Sequence, residues 1–345
     1  MRPIYVISAL AAAAVLTIGC AGFGGTLLFP VSYNVVEVSE VGSPYVKVNG
    51  MSNNGDVVGE YRANASADDL AFVWTEADGL TPLGTLGGSE SEALGVNSSG
   101  VVVGKSETGS SDRAFYFDGS MEDAGGLGTD LGSTAYAIDF NGLIVGSSIN
   151  LGGFERAVFF NPGLVPTPLG TLGGLESAAM ATNGQGQIVG WSLNAFGTKR
   201  AFRWTNGVMV DLGGLVNGGE SEATGINASG QICGTAKNSQ GDDQAFLMSG
   251  NIISALAFPP GADESWAFAI NGDGIVVGSA EVGGDEFAFA WYPGNNIVDL
   301  NAMVVLPAGF SLTRAVGIDN DANIIASGYN DGTGETRGFL LKPQF

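Results

Sequence analysis

Apolar residues run along this chain in short bursts between turn residues, and the bursts return in the same order about every 44 positions. The clearest mark is Asn/Asp-x-x-Gly-x-Val-Val-Gly. Its second glycine falls at Gly59, Gly104, Gly146, Gly190, Gly234 and Gly278, with Ala326 in the seventh place, so the spacings are 45, 42, 44, 44, 44 and 48. A period of this length points to a repeat architecture in which each unit buries its apolar surface against its neighbours. The second unit reads as four short strands, Glu92–Val96, Val101–Ser106, Arg113–Phe117 and Met121–Ala124, with no room for helices.

Each strand has its own pattern. Val101-Val102-Val103 and Ile275-Val276-Val277 are apolar on both faces, as a strand buried on both sides requires. The third strand is Ala-Phe-x-Trp or close to it at Ala71–Trp74, Ala114–Phe117, Ala201–Trp204 and Ala288–Trp291, which predicts aromatic packing between units. Small residues mark the first strand, as at Ala93 and Gly95 or Ala135 and Ala137, consistent with crowding at a central axis. Asn97-Ser98-Ser99-Gly100 and its counterparts at Asn183, Asn227 and Asn271 predict tight turns, with Asp139 and Asp319 replacing Asn in two units. Four strands in 40–45 residues is the length of a propeller blade. The last unit lacks a fourth strand, and Val35-Val36-Glu37-Val38 resembles the fourth strands Met209–Leu212 and Ile297–Leu300. The prediction is an all-β, seven-bladed β-propeller over residues 33–345, closed by an N-terminal strand that completes the last blade.

Ahead of the repeats, residues 1–19 carry Arg2 and then the apolar stretch Ile4–Ile18, the layout of a signal peptide. Leu16-Thr17-Ile18-Gly19-Cys20 is similar to a bacterial lipobox, which implies lipidation of Cys20 and outer-membrane direction from Ala21. Ordinary cleavage near Ala21–Gly25 and an uncleaved anchor are the alternatives. Residues 20–32 read as a flexible tether. Export to the cell envelope or beyond is expected, with membrane contact only through the lipid.

The repeats resemble the HAF-repeat extracellular proteins. The resemblance rests on Ser-x-Ala-x-Gly-Ile-Asn-x-x-Gly-x-Val-Val-Gly, on Ala-Phe-x-Trp, and on Leu83-Gly84-Thr85-Leu86-Gly87-Gly88, which returns at Leu169–Gly174. It implies export and a repeat fold, and it carries over no activity. The family's eponymous His is replaced throughout, by Leu70, Arg113, Arg156, Arg200, Gln244, Phe287 and Arg337.

Charge and chemistry narrow the function. With 13 Lys and Arg against 35 Asp and Glu, the net charge is −22, which opposes nucleic acid and anionic lipid. There is no His, so the commonest general base and zinc ligand are missing. Ser91, Ser133, Ser177, Ser221 and Ser265, with Thr313, recur before Ala in the first strand and read as backbone-bonding groups rather than nucleophiles. Cys233 stands where other units have Val and reads as a small hydrophobe.

Acids concentrate in two loop sets that share one face of a propeller: Asp69, Asp112, Glu155, Asp243 and Glu286 before Ala-Phe, and Glu90, Glu92, Glu176, Glu220, Glu222, Asp263 and Glu264 between blades. The expectation is a monomeric binding or structural module, not an enzyme, engaging a surface protein or carbohydrate through this acidic face. Ca²⁺ is a candidate ligand of the acids, and Asp319–Asn323 reads as a turn with a superficial likeness to a calcium loop. A carboxylate-dependent glycoside hydrolase or lyase on the same scaffold is the alternative.

Overall fold

The computed structural model describes residues 29–345 except 40–42, 129–130, 162, 164, 259–260 and 295–296. The signal-peptide and lipidation readings, Cys20 included, lie outside the described residues. The chain forms seven four-stranded antiparallel blades. Blade 1 comprises Tyr45–Met51, Val57–Arg62, Leu70–Thr75 and Gly79–Gly84. Blade 2 comprises Ser91–Val96, Val102–Glu107, Asp112–Phe117 and Met121–Gly125, within a residue of the predicted limits. Blades 3 to 6 follow the same order, beginning at Ser133, Gly173, Ser221 and Glu264. Blade 7 has Phe310–Ile318, Ile324–Asn330 and Glu335–Gln344, and its fourth strand is the N-terminal Ser32–Val38.

That closing strand pairs antiparallel with Glu335–Gln344 from Ser32 opposite Gln344 to Val38 opposite Gly338. Blades 1 and 7 also touch through one parallel pair, Tyr45 and Thr336. The closing strand begins slightly earlier than the predicted tether allowed. Phe29 packs on Tyr292 with ring centroids 4.5 Å apart, and the Val31 N–H donates to the Gln344 carbonyl.

There is no single core. The buried apolar residues form seven clusters, one for each blade interface. The Phe of Ala-Phe-x-Trp is the wedge in six of them. Phe115 of blade 2 packs with Val58 and Ala71 of blade 1, Phe289 of blade 6 with Cys233 and Ala245 of blade 5, and Phe72 of blade 1 with Val38 and Leu340 of blade 7. Each ring is fully buried, a gain of about 2–3 kcal/mol apiece before ordering costs. Cys233 is buried in this setting, and desolvation pushes its thiol up to about 12.

The first strands touch one another all the way around the axis. Every one carries a β-bulge at the same place, between Ala93 and Gly95 in blade 2 and between Ala223 and Gly225 in blade 5. The bulge explains the invariant small residues. A Cβ on Gly104 would sit 2.0 Å from the Glu92 carbonyl oxygen and 2.8 Å from the Phe115 ring. Ala326 occupies this place in blade 7, whose first strand has a second irregularity between Leu312 and Arg314.

The recurrent serines bond across blades. The Ser91 hydroxyl accepts the Ala71 N–H at 2.9 Å and donates to the Gly84 carbonyl at 2.6 Å. The third and fourth strands of blade 1 lose register at Ala71/Phe72, so this hydroxyl fills a gap in the ladder. Ser133, Ser177 and Ser221 repeat both bonds, and Ser265 repeats the first. Thr313 departs from the expected pattern: it donates to Ser327 within its own blade, displaced by the extra bulge. The 48-residue spacing holds a short 3₁₀ turn, Leu300–Met303, where no helix was expected.

On the opposite face, the Asn turns form a belt. The Asn227 Oδ1 accepts the Ser229 and Gln231 N–H groups, fixing its own turn, while its Nδ2 donates to the Asn271 carbonyl in the next blade. Asn97, Asn183 and Asn271 reach the following blade in the same way. Asp139 has no such donor, and Asn141 supplies the link to Gly184 instead.

Candidate functional site

The strand register brings the twelve predicted acids to one end of the blades. Glu90, Glu92, Glu176, Glu220, Glu222, Asp263 and Glu264 enter or open the first strands, while Asp69, Asp112, Glu155, Asp243 and Glu286 begin the third strands or stand just before them. Five carry a basic partner. Asp69 pairs with Arg62 at 2.8 Å, Glu92 with Lys47 at 3.0 Å and Lys105 at 3.4 Å, and Asp243 with Lys237 at 2.9 Å. Glu286 pairs with Arg314 at 3.3 Å, and Glu222 with Lys199. Several of these contacts span neighbouring blades: Lys47 with Glu92, Lys199 with Glu222, Glu286 with Arg314, and the Trp266 Nε1–H with Asp243 at 3.3 Å.

The other seven, Glu90, Asp112, Glu155, Glu176, Glu220, Asp263 and Glu264, have no Lys or Arg within ion-pair distance among the described residues. Two of them face a cleft of about 70 Å³ between blades 1 and 2, lined by Glu60, Asp69, Glu90, Glu92, Glu107 and Asp112 with Lys105, Ser91 and Ser106. Lys105 is bound to Glu92 on one wall. The Glu90 carboxyl is raised above its ordinary value, by desolvation first and then by the negative charges of Glu107, Asp69, Asp68 and Asp112. Glu92 behaves oppositely. Burial pushes it up, but Lys47 and Lys105 outweigh burial and hold it below the usual range. Glu107 is also lowered, because Ser89 donates to it from both its hydroxyl and its N–H.

Glu60 and Glu107 were not anticipated. Glu60 lies within the second strand of blade 1 and Glu107 ends that of blade 2, where an outward acid on an otherwise buried strand was the only signal. Glu60 accepts from Tyr45 and Lys47, which extends one ionic network from blade 1 into blade 2.

The replaced His positions have a structural use. Arg113 bonds Asp123 in its own fourth strand and the Gly128 and Leu131 carbonyls in the connection to blade 3. Arg200 bonds Asp211 and the Gly219 carbonyl, and Gln244 bonds the Leu256 carbonyl. Arg337 extends this bracing to ring closure by pairing with Glu37 of the N-terminal strand at 3.2 Å. The Leu-Gly-Thr-Leu-Gly-Gly motif is an inter-blade connector: Thr85 donates to the Gly88 carbonyl and the Leu86 N–H donates to Ser106.

No catalytic set emerges from the serines, since their hydroxyls are committed to backbone groups. Among the described residues no group of three or more His, Cys, Asp and Glu side chains converges to hold a metal ion. The Asp319 carboxylate accepts the Asp321 and Asn323 N–H groups and the Asn323 Nδ2, so both oxygens serve the turn.

No protein-family model and no curated protein sequence matches the chain. Solved structures match the fold. The β-propeller domain of the Trilobed protease from Pyrococcus furiosus aligns with a TM-score of 0.57 at 10% identity, over 90% of this chain and 97% of that one. A puromycin-hydrolyzing peptidase from Mycobacterium tuberculosis aligns with a TM-score of 0.52 at 13% identity, over 90% of this chain and 56% of that one. A TolB from Agrobacterium tumefaciens aligns with a TM-score of 0.48 at 13% identity, over 86% of this chain and 90% of that one. At these identities the likeness concerns the fold alone: the chain is a β-propeller, as the protease propeller domain is.

Proposed function

We propose that the protein is an exported binding module, a HAF-repeat-like propeller tethered by lipid at Cys20, that takes a cationic group of its partner in the acidic cleft between blades 1 and 2. The observation that carries this is that Glu90, Glu107 and Asp112 line one cleft with no Lys or Arg paired to any of them among the described residues, Glu107 being bonded by Ser89 instead. Five acids of the same face are fastened to Lys or Arg, whereas here three carboxylates without a basic partner line one concavity, and the negative charges of Glu107 and Asp112 repel that of Glu90. A cation entering the cleft relieves that repulsion, and the surrounding negative field speeds its arrival. The Ser, Ala-Phe and Leu-Gly-Thr-Leu-Gly-Gly signatures support the family reading, and the Arg2, apolar run and Cys20 order supports export with a lipid anchor.

Calorimetric titration of the mature protein with a Lys/Ser peptide tests the cleft, with CaCl₂ as the competing cation. Binding should weaken at least tenfold in the triple variant Glu90→Gln, Glu107→Gln, Asp112→Asn, and it should weaken with salt. Equal affinity in the triple variant would remove the cleft from consideration. Radiolabelled-palmitate incorporation that survives Cys20→Ser would remove the anchor.

A further inference from the structure

The same face is apolar on its other side. Leu151 is 87% exposed in the second-to-third-strand turn of blade 3, Phe196 is 93% exposed in the corresponding turn of blade 4, and Leu175 is 54% exposed near the start of the first strand of blade 4. Leu131, which leads into blade 3, reaches the same spot beside Gly128 as Leu151. Large apolar side chains gathered on one rim mark an interaction surface more often than they mark chance exposure.

The turn does not demand them. Asn150-Leu151-Gly152-Gly153, Asn194-Ala195-Phe196-Gly197 and Asn238-Ser239-Gln240-Gly241 are one frame, in which the Asn Oδ1 accepts the N–H groups two and four residues on. Blade 5 fills the frame with Ser239 and Gln240, so the apolar tips of blades 3 and 4 are a choice of side chain on a rigid mount. The frame also spares a partner the cost of ordering a loose loop.

Charge selects the occupant. Glu155 follows Phe154 and Glu176 follows Leu175, and neither has a Lys or Arg within ion-pair distance among the described residues. Arg156 lies over the Phe154 ring at 5.7 Å, and Lys199 is engaged by Glu222 and by the Trp191 ring. A net charge of −22 disfavours a second copy of this chain and an anionic membrane. We infer that the loop face of blades 3 and 4 docks a protein segment presenting apolar side chains between Lys or Arg residues. This deepens the cleft reading and rests on it: the same basic partner would place a cation between blades 1 and 2 and its apolar residues on Leu151, Leu175 and Phe196.

Fluorescence anisotropy of a labelled Leu/Lys amphipathic peptide on the mature protein tests this, with Ser/Lys and Leu/Glu peptides as controls. Wild type should bind Leu/Lys at least tenfold more tightly than either control. The double variant Leu151→Ser, Phe196→Ser should lose that margin while keeping its Ser/Lys affinity and its melting temperature, because both side chains stand clear of the core. An unchanged Leu/Lys affinity in the double variant overturns the docking surface and leaves the cleft standing. Leu/Lys binding that needs Leu151 and Phe196 but not Glu90, Glu107 and Asp112 overturns the cleft and leaves the docking surface standing. Binding of the wild type to phosphatidylcholine vesicles that the double variant lacks, without a Leu/Lys margin, would assign the tips to a bilayer and overturn the protein partner.

Discussion

Glu90 shows how one residue links stability to binding. Its raised carboxyl means that ionisation costs the folded state something at neutral pH. A group with a raised folded value contributes fully below its unfolded value, near pH 4.5, and loses that contribution as pH rises through the folded value. Glu90→Gln should therefore raise the melting temperature slightly at pH 7, the effect being small because the exposed carboxylate is screened by solvent, and the gain should vanish below about pH 4.5. Thermal melts of both proteins across that range are the check. Glu92, bonded by Lys47 and Asn49 of blade 1 and by Lys105 of its own blade, has the opposite sign. Such residues could be named from their place before or within the first strand. Whether a Lys stood opposite depended on Lys47, 45 residues away, which no local pattern discloses.

At the scale of elements, most of the blade was readable because each strand has a distinct composition. Val-Val-Gly, Ala-Phe-x-Trp and the Asn turn recur in fixed order, and period-two burial, ring packing and turn chemistry each select one of them. The bulge in every first strand was not readable, although its trace, the glycine that recurs in the second strand of six blades, was in plain view. Gly190→Ala would place a Cβ 2.0 Å from the Ala178 carbonyl oxygen. It should destabilise by about 3 kcal/mol, as overpacking does, read as a fall in the denaturant midpoint. The Asn belt was half seen, since Oδ1 serves the turn as expected while Nδ2 crosses to the next blade. Asn227→Asp keeps the acceptor and loses the donor to Asn271, and should cost about 1 kcal/mol. Asn227→Ala loses both and should cost more, measured in the same denaturation series.

For the whole molecule, the ring and its closing strand followed from counting units and finding a spare strand at Val35–Val38. What the count could not give was polarity around the ring, with the acidic cleft on blades 1 and 2 and apolar tips on blades 3 and 4. Repeats reveal what units share, and both proposed sites lie where the units differ. Closure is held in part by Tyr33, whose hydroxyl meets that of Tyr292 at 2.5 Å. Burial, then the neighbouring phenol, raises Tyr33, and burial pushes Tyr292 up to about 12. Stability from this pair is complete below about pH 10 and is lost as pH rises through the folded values. The melting temperature should fall between pH 10 and about 12, and Tyr292→Phe should reduce that fall.

The pairing of Ser32–Val38 with Glu335–Gln344 also sets a timetable. Each serine staple finishes a blade only when the following unit exists, so assembly can proceed in step with synthesis. The ring's last joint cannot, because Glu37 and Arg337 are 300 residues apart. At about 5–20 residues per second of synthesis, the N-terminal strand waits about 15–60 s for its partner. Through that interval its apolar side chains and backbone groups are unpaired. A chain kept extended until all seven units are made avoids the hazard, and export in an unfolded state, followed by folding in one episode, would meet that requirement.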